Sequence, residues 1–138
     1  MTFDPISQLL TFDSVKKFRF RNFQVYKDLR LFRTKVKNLS KKFFPKEEQF
    51  CLTQQLWRAL DSIVLNIAEG TDRGSDKDFA RYLNQSHTSL NEVVSCIDLA
   101  LDDKYITCVA HKDCLKEAEC IANQLTAFRK NLLEYPNK

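Results

Sequence analysis

Residues 25–43 read VYKDLRLFRTKVKNLSKKF, and their apolar members Val25, Leu29, Phe32, Val36, Leu39 and Phe43 alternate strictly by four and three. That spacing turns a single narrow stripe towards a core and predicts an amphipathic helix. Asn22 is a suitable N-cap just upstream, and Pro45 marks the end. The pattern continues on both sides of the turn that follows. Leu52, Leu56, Ala59 or Leu60, Ile63 and Ile67 form the stripe of a second helix, predicted from about Lys46 and stopping at Gly70 as a left-handed C′ residue. Ser75 then caps a third helix, with Asp76 and Asp78 in its first turn opposing the positive end of the dipole and Asp78 as a short capping-box partner. Its stripe is Phe79, Leu83, Ser86, Leu90, Val93, Ile97 and Ala100 or Leu101. A fourth helix begins near Val109, with Leu115, Ala118, Ile121, Leu125, Phe128 and Leu132 inward, Arg129 and Lys130 near its end and Pro136 beyond. Four long helices joined by short loops predict an all-α, antiparallel up-down-up-down bundle.

Composition agrees. Two glycines and three prolines in 138 residues supply too few turns for an all-β chain, and 138 residues suit one domain. Residues 21–135 are assigned to the bundle and residues 1–20 to an N-terminal extension. In the extension Asp4-Pro5 is a plausible N-cap and N1 pair, and Ile6, Leu9 and Leu10 share one face of a short helix. Such a helix is too short to stand alone, so it must dock on the bundle, on a neighbouring copy or on another protein. There is no apolar run of membrane-spanning length and no signal-peptide layout, so no membrane partner and a cytoplasmic location are expected. Five cysteines, an odd number in a chain large enough to need no staples, fit reduced thiols.

The charge is unevenly placed. Twelve of the twenty-two Lys and Arg residues lie between Lys16 and Lys46 with a single acid, Asp28, so a segment of +11 is joined to a remainder of −7. Such asymmetry calls for an anionic partner, either a nucleic acid or the acidic remainder of another copy. With Lys27 as origin and about 100° per residue, Arg30, Arg33, Lys37 and Lys41 form a ridge about a third of a turn from the apolar stripe. Cations spaced every turn can follow a phosphate backbone. The alternative is an ordinary solvated face, although such faces mix both signs more evenly. Upstream, Lys16-Lys17-Phe18-Arg19-Phe20-Arg21-Asn22-Phe23 alternates basic and aromatic residues. As an extended arm it would offer aromatics on one side for stacking and cations on the other, and otherwise its phenylalanines lock onto the bundle. The candidate nucleic-acid-binding residues are therefore Arg30, Arg33, Lys37 and Lys41, with Arg19, Arg21, Lys27, Lys35 and Lys42 behind them.

Catalysis and metal binding find little support. Cys108, Cys114 and Cys120 stand six apart and would point roughly 120° from one another on a helix, leaving only Cys108 with His111 at a workable spacing. His87 has no evident nucleophile beside it, and there is no Glu-x-x-His pair or glycine-rich phosphate loop. No enzyme, metal or cofactor is expected.

The string Leu52–Gly70, LTQQLWRALDSIVLNIAEG, followed by Arg73-Gly74-Ser75-Asp76-Lys77-Asp78-Phe79, resembles the four-helix-bundle proteins encoded within intervening sequences of bacterial 23S ribosomal RNA genes. Phe20–Tyr26, Arg81-Tyr82-Leu83 and Ser89–Glu92 are similar to the same family's other signatures. The accessory variability proteins of diversity-generating retroelements belong to the same superfamily. The resemblance implies a homopentameric ring without enzymatic activity and, for the retroelement branch, binding of RNA or RNA–DNA and of a reverse transcriptase through basic surfaces. Val64 stands where the family tends to have proline, and Trp57 and His87 stand where arginine is common. Asn66, Glu69 and Gly70 have structural readings of their own: an amide fixing register beside the core, and a Glu69–Arg73 pair across the turn.

Two functions are thus open, the first expected and the second its alternative. One is a non-enzymatic oligomer that binds nucleic acid through the first helix. The other is a structural or adaptor ring in which that helix docks on acids of the next copy, drawn from Asp98, Asp102, Asp103, Glu117 and Glu119.

Overall fold

A computed structural model describes residues 17–135. After a 3₁₀ turn at Arg19–Asn22 come α1 (Gln24–Phe43), a second 3₁₀ turn at Lys46–Glu48, α2 (Leu52–Thr71), α3 (Asp76–Asp102) and α4 (Cys108–Glu134), with no strand among the described residues. Cross-helix bonds give the topology. Arg19 reaches Thr71 while Ser40 meets Trp57, so α1 and α2 run antiparallel. Ser62 meets Ser89, and the Ser86 hydroxyl donates to the Ile63 carbonyl, so α3 reverses again. Asp98 pairs with His111 at one end of α3 and Phe79 packs on Phe128 at the other. Asp28 with Gln124 and Lys35 with Glu117 close α4 against α1. The bundle is up-down-up-down, as its sequence predicts.

The apolar stripes form the core. Val25, Leu29, Phe32 and Val36 of α1, Leu56, Leu60, Ile63 and Ile67 of α2, Phe79, Leu83, Leu90, Val93 and Ile97 of α3, and Ala118, Ile121 and Leu125 of α4 are all buried. Each such side chain is worth roughly 1.5–3 kcal/mol of burial. Two stripes deviate at their ends. In α1 the seam passes from Val36 to buried Ser40 while Leu39 is half-buried and Phe43 exposed. In α4 Cys114 is buried and Leu115 only partly so.

Several helix ends differ from the sequence reading. The N-cap of α1 is Phe23 in extended backbone with no side-chain cap, because the Arg19–Asn22 turn runs straight into the helix and absorbs Asn22. α2 starts at Leu52, six residues after Lys46, since the Lys46–Glu48 turn intervenes; the Glu48 carboxylate accepts from the Leu52 amide at 3.3 Å. Gly70 lies inside α2 and has no positive φ, so it is not a left-handed C′ residue. Its smallness serves packing instead, because a Cβ there would sit 2.5 Å from the Tyr82 Cβ. Ser75 does cap α3, accepting from the Asp78 amide at 3.1 Å, but the Asp78 carboxylate goes to Arg81. Thr107 caps α4 in the same manner, with the Ala110 amide at 3.2 Å. Between α3 and α4, Lys104 takes φ 64° while the Tyr105 amide reaches back to the Ala100 carbonyl, a Schellman closure without glycine. The assignment of Asp4-Pro5, Ile6, Leu9 and Leu10 to a short helix lies outside the described residues. No helix among the described residues is long and apolar enough to cross a membrane.

Candidate nucleic-acid interface

Because Val25, Leu29, Phe32 and Val36 face inward, the helical period carries the cations of α1 to its flanks. On the α2 flank, Arg33 Nε lies 2.6 Å and Lys37 Nζ 2.9 Å from the same carboxylate oxygen of Asp61. Burial alone would raise the Asp61 pKa, but the hydrogen bonds and charges of Arg33 and Lys37 outweigh it and hold the carboxyl below its usual range. Next along the ridge, Lys37 and Lys41 place their ammonium groups 4.9 and 5.5 Å from the centre of the Trp57 ring. Trp57 is itself fixed: its Nε1 donates to Ser40 Oγ at 2.8 Å, and that hydroxyl donates to the Lys37 carbonyl. Towards the start of α1, the Arg30 guanidinium lies 5.8 Å from the Tyr26 ring and Lys27 is half-buried. The four principal candidates do share one flank, with Lys27 extending it.

Lys35 belongs to the opposite flank. Its ammonium binds Asp113 and, at 2.9 Å, Glu117 of α4. Burial opposes its charge, yet the two carboxylates prevail and its pKa is raised. Asp28, the single acid of the basic stretch, sits on this flank too, accepting from Gln24 at 2.8 Å and Gln124 at 3.0 Å. Among the described residues, the ridge of Lys27, Arg30, Arg33, Lys37 and Lys41 therefore meets one carboxylate, Asp61, and only Arg33 and Lys37 pair with it.

The lead-in is not an extended two-sided arm. It closes as a 3₁₀ turn, so aromatics and cations do not separate onto two faces. Phe20 packs on Tyr26 at 5.1 Å, and Phe23 on Phe79 and Phe128 at 6.4 and 5.2 Å, the locking role open to them. Arg19 donates to the Thr71 carbonyl at 3.0 Å and lies over Phe23, Arg21 is half-buried, and Phe18 remains 53% exposed. Lys42 stands over its neighbour Phe43 on the exposed end of α1.

Among the acids expected to receive a neighbouring copy, two are committed within the chain. Asp98 is 2.8 Å from His111 Nε2, and Glu117 holds Lys35. Asp102, Asp103 and Glu119 are exposed. Asn66 bonds back to Ser62, and Glu69 pairs with Arg73 at 2.8 Å. Sequence reasoning missed Asp61, Trp57 and Ser40 as parts of the ridge. A signal existed for Ser40: it falls four residues after Val36, on the apolar seam, where a hydroxyl requires a partner.

Residues 21–127 match the family described as 23S rRNA-intervening sequence protein. Among solved structures, the chain is similar to a protein of unknown function from the S23 ribosomal protein family of Bacteroides thetaiotaomicron VPI-5482. The two are 25% identical with a TM-score of 0.70, over 77% of this chain and 98% of that one. No curated protein matches the chain.

Proposed function

This chain belongs to the 23S rRNA-intervening sequence protein family, and from that premise we propose that it is a non-enzymatic oligomer that binds RNA or RNA–DNA through the α1–α2 ridge. The observation that carries the reading is the charge count on that flank: of Lys27, Arg30, Arg33, Lys37 and Lys41, only Arg33 and Lys37 are ion-paired among the described residues, and they share the single carboxylate of Asp61. Cations that were only a solvated face would meet more acids, whereas these stay in excess along one helix. Contacts of this type go to phosphate, so sequence preference is slight and affinity is steeply salt-dependent. The oligomer is a homopentamer, as the resemblance implies. A reverse transcriptase is the protein partner if the gene lies beside a retroelement repeat pair; placement inside a ribosomal RNA gene removes that partner.

A second reading assigns the basic helix to self-assembly. What favours an assembling surface is apolar and lies elsewhere: Phe50 and Leu99 line an open groove of about 640 Å³ between α2 and α3, and Leu65 is exposed on α2. Assembly through that face leaves the ridge available and resists salt.

The test is a salt titration of binding to a labelled structured RNA by anisotropy, with oligomer mass followed in the same buffers. A log–log slope of roughly three or more counterions at constant mass supports the proposal. Mass falling in step with the signal, or no binding at low salt, overturns it. Arg30→Glu with Lys41→Glu is the appropriate reversal, since neither residue is tied to Asp61.

A further inference from the structure

The matched family region starts at residue 21, so the extension is a feature of this chain that its family membership does not explain. Up to Lys16 its only charged side chains are Asp4 and Asp13, which bracket the apolar residues Ile6, Leu9 and Leu10. It joins the bundle at a defined place. Phe23 stacks on Phe79 of α3 and meets Phe128 of α4 edge to face, so the chain enters where those two helices come together. The residues immediately following those two aromatics, Ala80 and Arg129, line an open groove of about 640 Å³ between the start of α3 and the end of α4. Leu133 is 47% exposed along it. Lys77 and Arg129 are exposed on its walls, and neither has an ion-pair partner among the described residues, while Arg81 is held by Asp78.

We propose that this α3–α4 groove is the docking site of the chain's own residues 4–13, with Ile6, Leu9 and Leu10 covering the exposed Leu133 and the two aspartates meeting Lys77 and Arg129. Complementarity argues for this occupant. The groove is cationic around an apolar floor and the segment is anionic around an apolar face, which is complementarity of both kinds. The proposal does not depend on nucleic-acid binding, because the groove lies across the bundle from the ridge.

The test is amide hydrogen exchange on the full chain at two protein concentrations, comparing wild type with Arg129→Glu/Leu133→Asp. Amides of residues 6–12 are expected to exchange about tenfold or more slowly than free peptide in the wild type, and at the free rate in the variant, with α1 and α2 unaltered. Free-peptide exchange in the wild type overturns the proposal, as does protection that survives the variant. Protection that rises with concentration assigns the segment to a second copy and also overturns it. If the groove variant loosens α4, Leu9→Asp leaves the groove intact and must still abolish the protection.

Discussion

Removing the Asp61 carboxylate while keeping its shape, by Asp61→Asn, separates what the ridge does for the fold from what it does for a ligand. In the fold, Asp61 holds Arg33 and Lys37 together, with side chains 38% exposed at Arg33, 43% at Asp61 and only 13% at Lys37. Exposed pairs contribute about 0.2–1 kcal/mol each once solvent screening is allowed for, so the two contacts together are worth about 1 kcal/mol. For a domain of this size the melting temperature falls by roughly 3–6 °C. The pH dependence has a definite sign. The folded-state pKa of Asp61 lies below the ordinary 3.8, so its contribution is present above about pH 4 and lost as pH falls through the folded value. The melting difference between wild type and variant is therefore open at neutral pH and closes on acidification.

Binding moves the other way. Freed of their shared carboxylate, Arg33 and Lys37 are available to phosphate, and each phosphate neutralised adds about 0.7–0.9 to the log–log salt slope. Asp61→Asn is expected to bind a labelled structured RNA more tightly at low salt, with a slope steeper by about one to two. Anisotropy titrations across salt, at a temperature well below both melting points, read this directly. Weaker binding with an unaltered slope would refute the reasoning, because it would show that the ridge serves only the bundle.

Three further outcomes follow from the geometry. Gly70→Ala improves intrinsic helix propensity yet places a methyl 2.5 Å from the Tyr82 Cβ, so urea unfolding should show a loss of about 1–3 kcal/mol; a gain would mean that α2 and α3 do not approach there. Cys51, Cys108 and Cys120 are exposed whereas Cys96 and Cys114 are buried, with burial pushing both of those thiols up, so a thiol reagent should titrate three groups quickly and the other two only on unfolding. Tyr105 donates to Glu48 at 2.8 Å, and that bond, with burial and nearby acids, pushes its pKa up to about 12. Its contribution is complete below the ordinary value of 10.0 and lost as pH rises through about 12. In a phenolate absorbance titration the latest phase should vanish in Tyr105→Phe, and its persistence would reassign the bond.

The helical stripes were legible because burial imposes a period on sequence, and Leu29, Phe32, Ile63 and Leu90 fall inward where that period puts them. What escaped was set by partners far away in sequence. Gly70 reads as a helix stop from local propensity, but its reason is Tyr82 on another helix. The lead-in alternates with period two, and the contacts of Phe20 and Phe23 pulled it into a turn that no local pattern announced. The ridge was legible as a row of cations, while its one carboxylate was not, since Asp61 lies twenty-eight residues from Arg33 and meets it only after α2 folds back.

That folding back decides how a ligand can use α1. The packing among α2, α3 and α4 is more extensive than that of α1 on either neighbour, so α1 depends more on its two polar clamps, Asp61 on one flank and Asp113 with Glu117 on the other. A phosphate chain laid on the α2 flank competes with the first clamp and leaves the second untouched, because Lys35 faces away from it. The apolar stripe of Val25, Leu29, Phe32 and Val36 also remains buried, and at roughly 1.5–3 kcal/mol per side chain it outweighs the clamp that is exchanged. On the proposed function, a bound phosphate chain would therefore shift Arg33 and Lys37 without detaching the helix. Trp57, the single tryptophan of the chain, lies under Lys37 and Lys41, so its emission is expected to change on addition of a structured RNA while helical content, read by far-UV circular dichroism, does not; unchanged emission at saturation would refute the shift.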